Sequence, residues 1–285
     1  MTSIPCRLRR RSRLRKRFAS GALIAALALA APACAAKRFA APSDAGVPVP
    51  GFAEEWQQVA ARCIGVQTMT AELALSGRAG GTRVRGRVQA GFAPGSMRLE
   101  GVAPFGQPVF ILAAAPSRAV LLLPRDERVA RAADAAEILD ALVGVRLQAD
   151  ALRAVLAGCA FTGAPLSATS HGPATRHGNL TRFTFPDGVA FVAASGGGVR
   201  RIVAAQIQSF LIEYPLDSAG SAWPPRVRIS RDLPDGQGVD LTFALSQIET
   251  NITIPAEAFT LDVPADTMPM TLAQLRAAGP LGERD

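Results

Sequence analysis

The side chains able to do chemistry in this 285-residue chain are few, and their spacing assembles no catalytic site. Cys63 and Cys159 are the cysteines of the region that patterns as folded. In an oxidising compartment an even pair is a disulfide candidate, and closing so long a loop contributes about 3 to 5 kcal/mol. Each falls at the end of a predicted helix, where two such ends can meet; the other reading is a pair of buried, reduced thiols acting as small hydrophobes. His171 and His177 stand six apart in a Gly/Pro-containing loop with no acid or cysteine at ligand spacing, so they read as exposed loop histidines and no metal site is expected. Gly196-Gly197-Gly198 lacks the Lys-Ser/Thr of a phosphate-binding loop, and no G-x-S-x-G nucleophile elbow occurs. The expectation is a protein that is not an enzyme and carries no cofactor.

The amino terminus places the chain. Arg7, Arg9, Arg10, Arg11, Arg13, Arg15, Lys16 and Arg17 come without an acid, and an uncharged, mostly apolar run from Phe18 to Ala31 follows. A basic region, a short apolar region and a small-residue cleavage zone describe an export signal, here residues 1–33, because about 14 apolar residues are too few to span a bilayer comfortably. Removing its eight basic residues from the 31 Lys+Arg leaves 23 against 23 Asp+Glu. The isoelectric point of about 10.5 therefore describes the precursor, and no net positive field remains to attract nucleic acid, which is dropped as a partner. Ala31-Pro32-Ala33-Cys34 resembles the lipobox of bacterial lipoproteins, in which the signal is cut before a cysteine that is then acylated. The other reading is ordinary cleavage at a small-residue site. Residues 34–51, with Pro42, Ser43, Gly46, Pro48 and Pro50 and no sustained apolar period, read as a tether.

The elements beyond the tether follow from periodicity. Phe52, Trp56, Val59 and Cys63 recur at helical spacing, with Glu54 and Glu55 in the first turn where the helix dipole favours acids, and Trp56 reads as core. Strands alternate from Thr70 to Leu75 and from Val84 to Phe92, joined through Ala79-Gly80-Gly81; the row Arg83, Arg85, Arg87, Gln89 faces water or a polar partner. Further strands are predicted at 97–101, 109–112, 118–123 and 128–132. Asp134 then caps a helix over 135–143 that Gly144 stops, and a second helix covers about 149–158. Residues 161–178 read as a loop with weak strand character. Six short strands follow between 179 and 245, alternation at Phe259, Leu261 and Val263 suggests a last one, and a marginal helix covers 272–278. The fold class is α+β, with one antiparallel sheet, strongly curved or nearly closed, and helices beside it.

Between the strands at 97–101 and 109–112 lies Ala103-Pro104-Phe105-Gly106. Pro104 holds Ala103 extended and Gly106 tolerates turn geometry, so Phe105 is presented between two backbone constraints. An apolar ring at a turn either folds back under the sheet or meets something outside the protein.

With that element order in hand, Met97 to Gly158 resembles the LolB family, outer-membrane lipoproteins that receive other lipoproteins and insert them into the membrane. The stretch has a strand ending in a Pro-Leu-Gly-type loop, two strands, an Asp/Ala-rich helix start at Ala133-Asp134-Ala135-Ala136-Glu137, a turn at Leu142-Val143-Gly144 and a Leu-Arg helix ending in Gly. The resemblance extends weakly over most of residues 52–263 and implies an incomplete antiparallel β-barrel covered by helices, with an apolar cavity for acyl chains. It implies that Phe105, flanked by Pro104 and Gly106, contacts membrane or acyl chain, and that Cys34 carries the anchor at the periplasmic face of the outer membrane. The implied partners are lipoprotein acyl chains, a periplasmic lipoprotein carrier and the membrane. The chain departs from the family in having Phe at the loop tip, a disulfide candidate and a longer carboxyl end, read as a tail over 264–285. Alternative functions are a periplasmic lipid carrier or lipid sensor, and a structural envelope lipoprotein.

Overall fold

The computed structural model describes residues 38–103, 108–161, 174–194, 198–215, 223–234 and 238–279. In chain order the body contains β1 (Val47–Pro48), α1 (Phe52–Ile64), β2 (Met69–Ala79), β3 (Thr82–Ala93), β4 (Ser96–Val102), β5 (Phe110–Ala115), β6 (Arg118–Leu123) and β7 (Arg128–Ala132). Two helices follow, α2 (Ala135–Val143) and α3 (Ala149–Leu156), then β8 (Thr175–His177), β9 (Leu180–Phe185), β10 (Gly188–Ala194), β11 (Arg200–Ile207), β12 (Phe210–Glu213), β13 (Arg226–Arg231) and β14 (Val239–Thr250). A short 3-10 turn (Ala256–Phe259), β15 (Met268–Met270) and α4 (Leu272–Ala278) complete it.

All these strands form one sheet, ordered β1-β8-β9-β10-β11-β12-β13-β14-β2-β3-β4-β5-β6-β7-β15. It consists of two antiparallel meanders, β2 to β7 and β8 to β14, joined where β14 pairs with β2 from Val239↔Ala79 to Thr250↔Met69. Register shifts within β10–β11, at Phe191/Val192, and within β14–β2, between Ser246 and Glu249, mark bulges that bend the strands. The sheet stays open: the α+β reading with one curved antiparallel sheet holds, while the sheet does not close into a barrel. Each end is finished by a short strand carrying a proline, Pro48 in β1 and Pro269 in the parallel β15, and a residue without an N–H cannot donate to a further ladder.

One face of the sheet is largely apolar and is covered by α1, α2 and α3. Cross-strand rows such as Leu73, Val88 and Gly101, or Leu241, Ile229 and Ile212, run over it. They form a single continuous core with Trp56, Ile138, Val155 and Leu156. Trp56 is buried against Phe183 and Phe185, with ring centroids 5.2 and 4.9 Å away. A smaller cluster of Phe191, Ala193, Val203 and Ala204 lies on the opposite face of β10–β11, and Phe39 covers it with its ring centroid 4.8 Å from that of Phe191.

That contact corrects the tether. From Phe39 onward the stretch is docked: the Phe39 N–H donates to Glu213 Oε1 at 2.6 Å, Val47 and Pro48 pair with β8, and the Val49 N–H donates to Ala174 O at 2.9 Å. Its prolines keep it extended along the sheet edge. The stretch read as a tail is likewise part of the fold, because β15 adds to β7 and α4 buries Leu275, its start closed by a capping box between Thr271 and Gln274. The strand expected at Phe259, Leu261 and Val263 does not form. Ala256–Phe259 coils into the 3-10 turn instead, and Ala258 O and Thr260 O accept from Arg98 Nη1 at 3.3 and 3.4 Å. His177 is also buried rather than exposed: Nδ1 donates to Asp44 Oδ1 at 2.7 Å and Nε2 meets Thr175 Oγ1 at 2.9 Å, an arrangement created when β1 and β8 pair.

Candidate functional site: an apolar cavity under two helices

The sequence from Asp134 to Leu156 builds the roof of the site. The Asp134 carboxylate accepts from the Glu137 N–H at 3.0 Å and starts α2. Gly144, at φ 71°, ends it in the left-handed conformation that L side chains avoid, and the chain turns through Val145 into α3. Leu139, Leu142 and Val143 of α2, Val145 of the turn, and Leu152 and Leu156 of α3 point at the sheet. The floor is made by Leu73 and Leu75 of β2, Val88 of β3, Leu99 of β4, Phe110 of β5, Ile229 of β13, and Leu241 and Phe243 of β14.

Roof and floor do not meet completely. They enclose a cavity of about 70 Å³ whose lining side chains are all apolar. Leu75, Phe110, Val143 and Phe243 are half-buried and form its rim, while Leu73, Leu99, Leu241 and Leu156 below them are buried. Gly101 makes room for one side of that rim, since a Cβ there would stand 2.6 Å from the Phe110 ring. With no titratable group in the lining, the cavity offers dispersion and release of water to whatever enters it, and no acid, base or nucleophile.

The two roof helices are held very differently. The Asp150 carboxylate at the start of α3 accepts from the Gly95 N–H at 3.1 Å, and Arg153 bonds Gln67 O and pairs with Asp150 at 3.0 Å. Tyr214 Oη, whose phenol is pushed well up by burial, donates to Val155 O at 3.0 Å. Arg62, whose guanidinium burial shifts down, donates to Gly158 O at 3.0 Å. Beside it Cys63 and Cys159 are joined in a disulfide with Cα atoms 5.7 Å apart, as the two helix ends allowed. For α2 the ion pair shown among the described residues is the exposed one from Asp140 to Arg276 of α4, at 3.0 Å. Among the described residues, the rest of α2 meets the sheet through apolar packing.

Helix α1 is fixed from its other end. Glu55, read from the sequence as a first-turn acid, is an anchor: Oε2 accepts from Arg176 at 2.7 Å, and Oε1 accepts from Thr181 Oγ1 at 2.8 Å and from Arg200. Its partners lie on β8, β9 and β11, more than a hundred residues away, and nothing local in the sequence singles it out.

Cys34, Pro104, Phe105 and Gly106 lie outside the described residues, as does His171. The strands that flank the Phe105 loop do reach the site: β4 ends at Val102, 40% exposed, and β5 begins at the rim residue Phe110, with the Val109 N–H donating to Gly101 O at 3.0 Å. Ala103 and Val109, at the described ends of that loop, therefore lie beside the cavity mouth. Among the described residues no three His, Cys, Asp or Glu side chains come together as metal ligands, and no helix is long and apolar enough to cross a membrane.

The chain matches no protein-family model and no curated protein sequence. Solved structures do resemble it. A DUF1329 family protein from Desulfovibrio piger is 10% identical over 73% of this chain and 97% of its own, with a TM-score of 0.44. A LolA superfamily protein from Nitrosomonas europaea is 12% identical over 72% of this chain and 97% of its own, also at 0.44. The lipoprotein LppX from Mycobacterium tuberculosis is 11% identical over 72% of this chain and 99% of its own, at 0.30. Superposition at this level assigns neither a family nor a ligand.

Proposed function

We propose that this domain is a lipid-binding protein rather than an enzyme, and that it accepts acyl chains of lipoproteins and assists their insertion into the outer membrane. The observation that carries this reading is the wholly apolar cavity with its half-buried apolar rim. A monomer keeps such side chains at an opening at a cost in exposed apolar surface, which an incoming chain offsets by about 0.8 kcal/mol per buried methylene.

The cavity of about 70 Å³ is well below the 300–1,000 Å³ typical of sites for small ligands, so an acyl chain enters only by parting roof from floor. Because α3 is tied down at both ends and α2 is held mainly by apolar packing, α2 is the element that yields, turning about Gly144. The Phe105 loop, attached at the mouth, then touches the bilayer as the chain leaves. Burial of one Phe contributes roughly 1.5 to 3 kcal/mol, enough to bias a transient contact and too little to anchor the protein. Acylation of Cys34 at the periplasmic face of the outer membrane supplies the anchor, and a periplasmic carrier supplies the cargo.

The test is transfer of a lipoprotein from a soluble carrier to membranes by wild type and by Phe105→Glu. Transfer falls in the variant while binding of a fluorescent acyl probe is kept. Unchanged transfer would remove the loop from the mechanism, and a wild type that binds no probe would remove the cavity.

A further inference from the structure

The row of arginines on β3 has no place in acyl-chain binding. Arg83 and Arg85 of β3 and Arg78 of β2 are exposed on the face of the sheet away from the helices. Arg78 and Arg83 are directly opposite each other, and Arg85 is opposite Ser76. Like charges facing across strands destabilise a hairpin. None of the three has an ion pair among the described residues. The nearest carboxylate on the adjoining strand, Asp240, is taken in bidentate fashion by Arg228 at 2.7 and 2.6 Å, and the next arginine along the row, Arg87, meets Glu72 at 3.3 Å. Arg78, Arg83 and Arg85 line one groove together with Thr242 and the Arg228–Asp240 pair. The chain beyond the signal is formally neutral, so this is a local excess of positive charge.

Its position is equally specific. The last residue pair between β3 and β4 is Arg87↔Val102, so residues 82–86 of β3 run past the end of β4 with that edge unpaired, while their partners on β2 stay paired to β14. The exposed Val102, where β4 ends, lies beside that unpaired edge. Rim residues Leu75 and Phe243 occupy the inner face of the same strands whose outer face carries Ser76 and Thr242. The arginine groove and the cavity mouth therefore share one end of the sheet, separated by its thickness.

We propose that the hairpin end formed by β2 and β3 docks on a bilayer surface through phosphate-bearing anionic lipid headgroups, gripped by Arg78, Arg83 and Arg85, and so holds the cavity mouth at the membrane. Guanidinium groups suit this partner because their paired N–H donors match phosphate oxygens and stay charged at any physiological pH. This docking rests on the reading of the domain as a membrane-facing lipid binder.

The test uses the chain carrying Cys34→Ser, so that no acyl anchor contributes, and measures co-sedimentation with phosphatidylglycerol–phosphatidylcholine vesicles and with pure phosphatidylcholine vesicles. Binding is expected to the anionic vesicles, to weaken as salt is raised, and to fall about a hundredfold in Arg78→Gln/Arg83→Gln/Arg85→Gln. A control with the same loss of charge at exposed sites elsewhere, Arg118→Gln/Arg125→Gln/Arg131→Gln, keeps binding. Equal binding to both vesicle types, no binding to either, unchanged binding in the first triple variant, or an equal loss in the control would each overturn the proposal. An acyl probe measured on the same samples separates this from the cavity. A wild type that binds anionic vesicles and no probe loses the lipid-acceptor function and keeps the docking surface.

Discussion

The disulfide between Cys63 and Cys159 lends itself to the most quantitative prediction. The bridge joins residues 96 apart in sequence, so it removes the closure entropy of nearly a hundred residues from the unfolded chain. In the chain-entropy picture this stabilises the native state by about 4 to 5 kcal/mol. For a domain of this size each kcal/mol shifts the melting midpoint by roughly 2 to 4 °C, so Cys63→Ala/Cys159→Ala lowers it by about 10 to 20 °C. The native fold itself changes little, because α3 is also held by Asp150, Arg153, Val155 O and Gly158 O. Thermal unfolding followed by circular dichroism, on oxidised wild type and on the double variant, measures the loss, and acyl-probe binding at low temperature checks that the cavity persists. A double variant that melts within about 2 °C of wild type, or an oxidised wild type in which both thiols are alkylated, would refute the reasoning.

Three smaller perturbations test how the site is supported. Glu55→Gln weakens charge-assisted bonds to Arg176 and Arg200, and should cost about 2 kcal/mol in urea unfolding; a loss under about 0.5 kcal/mol would show that Glu55 does not anchor α1. Asp134→Ala removes the cap of α2 and costs about 1 kcal/mol at neutral pH. The bond from the Glu137 N–H holds the Asp134 carboxyl below its ordinary value of 3.8, so the stabilisation is fully present above that value and is lost as pH falls through the lower native one. The gap between variant and wild type should therefore close on acidification, and a gap constant down to pH 2 contradicts it. Phe39→Ala uncovers Phe191 and loosens the strap over 39–50, seen as faster limited proteolysis within that segment; an unchanged cleavage rate would mean that the Phe39 ring does not hold it.

Local chemistry was legible where a residue acts on its own neighbours. Asp134 and Gly144 bound α2 at the residues expected, Pro124 ends β6, and the helix expected over 272–278 forms as α4. Alternation identified the buried faces of Leu73, Leu75, Val88 and Leu99, which become cavity floor. What alternation cannot carry is partnership. Phe259, Leu261 and Val263 alternate as well as any strand, yet Arg98 takes the carbonyls of Ala258 and Thr260. Openness was illegible for the same reason, because it depends on which strands reach the edges, and both edge strands are too short to have a period. The roles of Glu55, His177 and Phe39 each arise from a partner more than a hundred residues away. The cavity itself is assembled from residues between 73 and 243, so no window of sequence contains it.

The most direct test of the acyl-binding account is photo-labelling with a long-chain fatty acid bearing a diazirine at its far end, followed by mass spectrometric mapping of the adducts. The account predicts labels on Leu139, Leu142 or Val143 of the roof and on Leu73, Leu241 or Phe243 of the floor, competed away by unlabelled fatty acid, with hydrogen exchange in α2 rising on ligand binding while α3 stays protected. Labels confined to the outer face of the sheet, or an α2 as protected with ligand as without it, would contradict it.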